Sequence, residues 1–380
     1  MTDPIRPGRR PAYGFFGGSF DPVQAGHIAL ARAALKERGL KRVYLVPAGC
    51  SPFKEEGPRA SGRDRIRLIR AAIRGVPGLC VAKWELGRAG PSFTYQTLRS
   101  LHRRFPHRRW ELVMGQDAWA SFTRWRRWRE LAKRCPLVVG RRPGTAGRGG
   151  PSAFFLRSKL PLVSSTRVRE ALAQGKSVRR WVPSAVALEM KRRGLYPRLP
   201  TGLSARRTRH SAAVAHWAME LARRYGADPA RAERAGLYHD LAKEWRPDRL
   251  SAYAKINRLR VPGVSDVMVS KNPSLLHGVV SAHVARQRGW VKDRQTFNAM
   301  ARHTTGHGRM GRLDKIIFVA DYSSPDRPWA ESVRVRRAAL KNLERAFRLT
   351  VYYKSEEVLQ RGGTLPRHFV RLLKRWGMNR

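Results

Sequence analysis

Six residues in the second half of the chain are of types that hold metal ions: His210, His239, Asp240, His277, His303 and Asp321. Long stretches of helical periodicity separate them. A lone histidine on a helix is usually a structural or surface residue. This set differs because several members share apolar faces. His210 lies on the face of Val214, Trp217 and Leu221, and Asp321 follows Leu313 and Ile317 at i, i+4 spacing, so its carboxylate points into the core. A buried carboxylate without a positive partner is strongly unfavourable, and a metal ion is the simplest resolution. His283, six residues after His277, falls well off its face, and it reads with His216 and His307 as a structural or surface residue.

A second constellation stands near the start: Gly17-Gly18-Ser19-Phe20-Asp21-Pro22-Val23-Gln24-Ala25-Gly26-His27, between a strand and a helix. Paired glycines let a ligand approach the backbone without a Cβ in the way. The unpaired N–H groups and dipole of a helix start attract phosphate, and His27 in the first turn can donate to a phosphate oxygen.

The elements that must position these residues differ between the halves. Ala12–Phe16, Arg42–Val46, Trp110–Met114 and Leu137–Val139 read as buried strands, with helical segments such as Ile28–Glu37 and Arg65–Arg74 between them. That alternation predicts a doubly wound α/β domain with ligands at the strand C-termini. Residues 141–150, rich in Gly, Pro and Arg, read as a mobile surface loop. Tyr196–Ser204 has linker chemistry. Beyond it the pattern is helical, most clearly over His210–Tyr225, Pro229–Lys243, His277–Gln287 and Leu313–Tyr322, which predicts an all-α second domain. Leu365–Arg380 is basic and amphipathic.

Composition bounds the rest. Lys and Arg number 78 against 27 acidic residues, a formal net charge of +51, a field that attracts nucleotides, RNA or anionic lipid. The cations are scattered through both halves, so non-specific nucleic-acid binding is expected and a basic RNA-binding protein is the alternative from another class. No apolar run is long enough to span a bilayer. The N-terminus lacks the apolar stretch of a signal peptide. Cys50, Cys80 and Cys135 make a disulfide framework unlikely on number and spacing, and a cytoplasmic protein is expected.

The glycine-rich string resembles the signature of the nicotinate-nucleotide adenylyltransferases (NadD family, nucleotidylyltransferase superfamily). Gly90-Pro-Ser-Phe-Thr94-Tyr-Gln-Thr-Leu98, Met114-Gly115-Gln116-Asp117 with Trp125, and Ser164-Ser165-Thr166-Arg167-Val168-Arg169 resemble further motifs of that family, in its order. The resemblance implies transfer of AMP from ATP to nicotinate mononucleotide, giving nicotinate adenine dinucleotide and pyrophosphate, with Mg2+ accompanying ATP. It implies ATP contacts from Gly18, Ser19, Phe20, Gln24, Gly26, His27, Ser165, Thr166 and Arg169, with His27 and Arg169 catalytic. Thr94, Asp117 and Trp125 would bind the nicotinate nucleotide. Two positions depart from the family. Gln24 stands where the family has histidine and cannot carry charge, and Phe53 replaces a histidine in Pro52-Phe53-Lys54. A degenerate first domain beside an active second one is therefore the other reading.

In the second half, Arg207-x-x-His210, His239-Asp240-Leu-Ala-Lys243, Asn-Pro-Ser-Leu-Leu-His277-Gly, Arg-His303-Thr-Thr-Gly306 and Val-Ala-Asp321-Tyr together resemble the YqeK family of HD-domain phosphohydrolases. That resemblance implies symmetrical hydrolysis of diadenosine tetraphosphate to two ADP. It implies two divalent metals, iron first with Mn, Ni or Zn as alternatives, and Asp240 bridging them. His210, His239 and Asp321 would complete one ion's ligands and His277 with His303 the other's, while Arg207 and the catalytic Lys243 would meet phosphate. The expected organisation is a Rossmann-like nucleotidyltransferase domain over residues 11–198, a linker over 199–204, an all-α HD domain over 205–350 and a basic extension over 351–380.

Overall fold

The computed structural model describes residues 11–49, 58–87, 92–141 and 150–378. The expectations for Cys50, Phe53, Lys54, Gly90, Pro91 and the loop 142–149 lie outside them. Two compact units divide the chain, Met1–Tyr196 and Pro197–Arg380.

The first unit is built on six parallel strands: β1 Ala12–Gly18, β2 Arg42–Pro47, β3 Leu79–Val81, β4 Arg109–Gly115, β5 Leu137–Gly140 and β6 Phe154–Leu156. Its helices are α1 Ala25–Glu37, α2 Gly62–Ile73, α3 Thr94–Arg104, α4 Gln116–Ala120, α5 Trp128–Arg134, α6 Ser165–Ala173 and α7 Ser184–Arg193. The sheet order β3-β2-β1-β4-β5-β6 reverses direction between β1 and β4. Ligand crevices of such sheets open at that switch point, beyond the strand C-termini, where Gly17-Gly18 and Gly115-Gln116 stand. Phe15, Val43, Leu45, Leu112 and Val138 are buried in the central strands, as expected when helices cover both faces of a parallel sheet. The edge strands β3 and β6, three residues each, are too short to leave a pattern and went unread in the sequence.

Polar contacts fix the loop after β1. Asp21 is buried and accepts from the backbone N–H of Arg59 (2.8 Å) and Ala60 (3.0 Å) and from the Tyr196 hydroxyl (2.8 Å). Burying a carboxylate is tolerable when its lone pairs are met in this way.

The second unit is helical: α8 Ala205–Arg224, α9 Pro229–Tyr238, α10 Pro247–Ile256, α11 Asp266–Lys271, α12 His277–Gln287, α13 Arg294–Arg302, α14 Arg312–Ser323, α15 Ala330–Ala339, α16 Leu343–Gln360 and α17 Arg367–Arg375. Side-chain caps set several starts: Ser204 on α8, Asp228 followed by Pro229 on α9, Asp293 on α13 and Asn342 on α16. Helices α8 and α9 pack closely because Gly236 lacks a Cβ; one built there would stand 2.5 Å from the Ala215 Cα.

Two expectations differ from this structure. The helix expected over Pro229–Lys243 ends at Tyr238, and His239 to Lys243 form a turn. On a regular helix successive side chains diverge by about 100°, whereas the turn lets His239 and Asp240 face one centre. The region expected to be an extension from residue 351 is core: α16 runs unbroken through it, Val351 and Ser355 are buried, and Phe369 of α17 packs on Phe318. No helix among the described residues is long and apolar enough to cross a membrane.

Candidate functional site

At the switch point of the first unit lies a cavity of about 470 Å3, whose lining includes Gly17, Gly18, Ser19, His27, Thr94, Asp117 and Trp125. Residues spread over a hundred positions thus meet because β1, α1, α3 and the β4–α4 turn end on one crevice. Phe20 does not face it as an ATP contact would. Its ring is buried and packs edge-on against His27, centroids 5.0 Å apart, so it braces the imidazole. Ser165 donates to the Pro22 carbonyl (2.9 Å), and Arg169 Nη1 donates to the Asp21 carbonyl (2.7 Å) with Thr166 Oγ1 3.4 Å from Nη2. The start of α6 is therefore tied to the β1–α1 loop, and Ser165, Thr166 and Arg169 are not among the cavity's lining residues.

Gln24 and Gly26 line the cavity as well, and Gln24 has a structural part besides. It is the N-cap of α1, buried, with Oε1 accepting from the Gly26 and His27 amides and Nε2 donating to the Val163 carbonyl at 3.0 Å. The Ala25 amide donates to Trp181. The helix-start amides expected to meet phosphate are thus already capped: Gln24 supplies intramolecularly the acceptor that an anion would supply. The same cap orients His27, whose Nδ1 accepts from the Gln24 backbone N–H at 3.1 Å. With Nδ1 an acceptor, the neutral ring carries its proton on Nε2. Ser92, inside the string that runs to Leu98, also lines the cavity, as do Glu85 and Arg126, which belong to none of the quoted motifs.

In the second unit the six candidate ligands converge. His210 comes from α8, His239 and Asp240 from the turn after α9, His277 from the start of α12, His303 from the end of α13 and Asp321 from α14; all are buried. The Nδ1 atoms of three of the rings lie against the carbonyl three residues back: His239 on Gly236 (2.7 Å), His277 on Ser274 (2.6 Å) and His303 on Met300 (2.7 Å). In the fourth, His210 Nδ1 lies 2.7 Å from Asp326 Oδ2. A carbonyl only accepts, so each Nδ1 there carries hydrogen and each neutral ring turns the lone pair of Nε2 inward.

Those lone pairs are crowded. The Nε2 atoms of His277 and His303 stand 3.2 Å apart, with one Thr304 hydroxyl 3.0 Å from each and Lys243 Nζ 3.5 Å from His277. His239, His277 and His303 each place Nε2 at 3.4 Å from an Asp240 carboxylate oxygen. His239 Nε2 and Asp240 Oδ1 are buried without a hydrogen bond among the described residues. Ligand atoms of His210, His239 and Asp321, and of His239, Asp240 and His303, all lie within 4.8 Å of one another in their groups. Inward lone pairs, orphaned buried atoms and Nδ1 hydrogens tied to outer acceptors are the donor set of a divalent metal centre.

Electrostatics agree. Burial raises the Asp240 carboxyl, but His239, His277 and His303 outweigh it and hold the group well below the usual range. Burial likewise opposes the charge on Asp321, and Arg327, His210 and Lys354 hold it well below. His303 is pushed down to about 4, by burial first, with His239 and His277 adding to it against Asp240. At His239 burial works against charge, yet Asp240 and Asp321 bring its pKa above the ordinary value; a proton or a metal ion serves equally as positive partner to those carboxylates. Cations ring the cluster: Arg207 donates to Asp240 Oδ2 (2.7 Å), Arg327 to Asp321 Oδ1 (2.7 Å), and Lys354 Nζ is 3.5 Å from Asp321 Oδ2. Arg207 and Lys243 were legible in the sequence. Arg327, Asp326 and above all Lys354, thirty-three positions beyond Asp321, were not.

Two family models match these units one each, and one relative runs along most of the chain. The cytidylyltransferase-like family model matches residues 15–171 and the HD domain model residues 207–326. A Gloeobacter violaceus protein named "Probable nicotinate-nucleotide adenylyltransferase" is 37% identical over 203 residues, 50% of this chain and 97% of that protein. A Mycoplasma pneumoniae protein named "Probable nicotinate-nucleotide adenylyltransferase/Ap4A hydrolase" is 28% identical over 350 residues, 89% of this chain and 97% of its own length. Among solved structures, a Clostridium acetobutylicum protein described as an HD superfamily hydrolase involved in NAD metabolism is 30% identical, covering 46% of this chain and 92% of that one, with a TM-score of 0.42.

Proposed function

The chain belongs to the nicotinate-nucleotide adenylyltransferase family through its first unit, and from that premise we propose that it is a bifunctional nucleotide enzyme. The first unit transfers the adenylyl group of ATP to nicotinate mononucleotide, releasing pyrophosphate. The second hydrolyses diadenosine tetraphosphate symmetrically to two ADP. The observation that carries the pairing is the run of similarity along nearly the whole of a two-domain relative named for both activities.

In the first unit His27 lines the cavity and carries its hydrogen on Nε2, a donor type suited to a phosphate oxygen gaining charge as the pyrophosphate bond breaks. Phe20 below and the Gln24 backbone beside it restrict that ring to one orientation. Trp125 offers an aromatic face for the pyridine ring, and Thr94 opens α3 at the same wall. Mg2+ accompanies the triphosphate. Positioning and charge stabilisation suffice for such a transfer.

In the second unit His210, His239 and Asp321 would hold one divalent ion and His277 and His303 the other, with Asp240 a ligand available to both. The bound ions supply Lewis acidity and an activated water. Imidazole and carboxylate ligands fit Fe, Mn, Ni or Zn; iron is our assignment, and metal analysis of the isolated protein tests it. Lys243 and Arg207, at the cluster's edge, orient the polyphosphate.

The test uses full-length Asp240→Ala protein, so that hydrolysis cannot consume product. ATP, magnesium and nicotinate mononucleotide are supplied, with nicotinamide mononucleotide in parallel, and dinucleotide is quantified by mass. Product that vanishes on His27→Ala supports the first activity; no product from a folded, ATP-binding protein removes it. For the second, wild-type protein given diadenosine tetraphosphate yields ADP alone, and formation of ATP with AMP would contradict the symmetrical reading. The Gln24 cap favours one other reading, a first unit that folds but transfers slowly. A large gain in rate on Gln24→His would support it.

A further inference from the structure

Of the eleven tryptophans only Trp329 is exposed, at 44%. Indoles contribute most when buried, so one left in water beside a reaction centre needs a reason. Trp329 is the N-cap of α15, at the end of the turn leaving α14 just after the ligand Asp321.

That turn is rigidly tied. Arg336 donates to the carbonyls of Ser323 (2.7 Å), Ser324 (2.6 Å) and Arg327 (2.9 Å), and Ser332 Oγ donates to Arg327 as well (3.0 Å). On it, Arg327 reaches both ways. Its Nη2 is 2.7 Å from Asp321 Oδ1, and its guanidinium carbon is 5.3 Å from the centroid of the Trp329 ring. Outward from the cluster the order is therefore metal ligand, guanidinium, exposed aromatic face. Each half of diadenosine tetraphosphate presents matching groups in the same order: the central phosphoanhydride that is cut, the two phosphates of that half and, beyond the ribose, the base.

We propose that Trp329 is a nucleobase platform of the hydrolase site, on which one adenine of the substrate stacks, while Arg327 meets one of the two phosphates between that adenosine and the bond that is cut. The proposal rests on the hydrolase reading above and adds where the base is held. Every base has a π face, so the platform selects base-bearing polyphosphates over inorganic ones without choosing strongly among bases.

Two measurements on full-length protein test it. Loss of a stacking partner on Trp329→Ala raises KM for diadenosine tetraphosphate by about tenfold or more, with a smaller change in kcat, and Trp329→Phe restores most of the difference. An unchanged KM overturns the proposal. So does an equal defect in Ala and Phe with a lowered melting temperature, which would mean that the turn had collapsed. The second measurement does not depend on turnover: irradiation with 2-azido-ADP followed by peptide mapping. Label on the peptide carrying Trp329, lost in the Ala variant, supports the platform even if the wild type fails to cleave diadenosine tetraphosphate, in which case only the hydrolase reading falls. Absence of label there overturns the platform itself.

Discussion

Of the four imidazoles among the candidate metal ligands, His210 alone has its outer nitrogen on a side chain, Asp326, rather than a backbone carbonyl. It is thus the one ring whose orientation can be perturbed without touching a ligand. The Nδ1–Oδ2 distance of 2.7 Å marks a charge-assisted bond, and the Asp326 side chain is 36% exposed. The carboxylate fixes the hydrogen on Nδ1 and turns the Nε2 lone pair toward Asp321, 3.3 Å away. Asp326→Asn keeps an acceptor but loses the charge, whereas Asp326→Ala loses both. Changes in such outer partners typically lower metal affinity or activity by about 10- to 100-fold; we expect Asn near the lower figure and Ala near the upper. Competition with a graded chelator gives the affinity, and hydrolysis of diadenosine tetraphosphate at saturating metal gives the rate. Because Asp326 lies partly in water, its removal should leave the melting temperature of metal-free protein nearly unchanged. Equal metal affinity in wild type and Asp326→Ala would refute the assignment of His210 as a ligand held by this carboxylate. A melting temperature that falls as far without metal as with it would assign the loss to folding instead.

Three further outcomes follow from the geometry. His27→Ala should lower the adenylyl-transfer kcat by about 100-fold or more, the scale for removing one preorganised donor, with ATP binding retained by calorimetry. Gln24→Ala removes the α1 cap and should lower stability by about 1 kcal/mol in denaturant unfolding, while exposing the Gly26 and His27 amides; tighter pyrophosphate binding in that variant would show that cap and anion compete. Asp293, half-buried at the start of α13, has its carboxyl held below the ordinary value despite burial, through bonds from Thr296 and the charges of Arg231 and Arg234. A depressed carboxyl stabilises above its unfolded pKa of about 3.9, and that stability is lost as pH falls through the folded value. The deficit of Asp293→Ala should therefore be full at neutral pH and shrink below pH about 4; a deficit that grows in acid would contradict it.

The legible part of this protein was what periodicity and local chemistry dictate. The four central strands, the paired glycines before α1 and the six metal-centre candidates all stood in the sequence, because buried strands and ligand residues on apolar faces leave a pattern in one dimension. The three-residue strands β3 and β6 left none: pairing with a neighbour defines them, not their own residues. Gln24 read as a phosphate contact because the motif position invited it, and only the fold shows its amide spent on the helix start and on Val163. The region after residue 350 read as a charged extension, since basic residues mask the apolar positions of Val351 and Phe369 until α16 and α17 pack.

What the sequence determined alone was therefore the set of reactive residue types and the class of each half. Tertiary structure decided which atoms of those residues face one another. The direction of a histidine lone pair depends on the acceptor behind the ring, and those acceptors are mostly backbone carbonyls that carry no sequence signature. Arg327 and Lys354 reached the cluster through a pinned turn and a helix whose packing brings both within a few ångströms of Asp321, a relation that no spacing along the chain encodes.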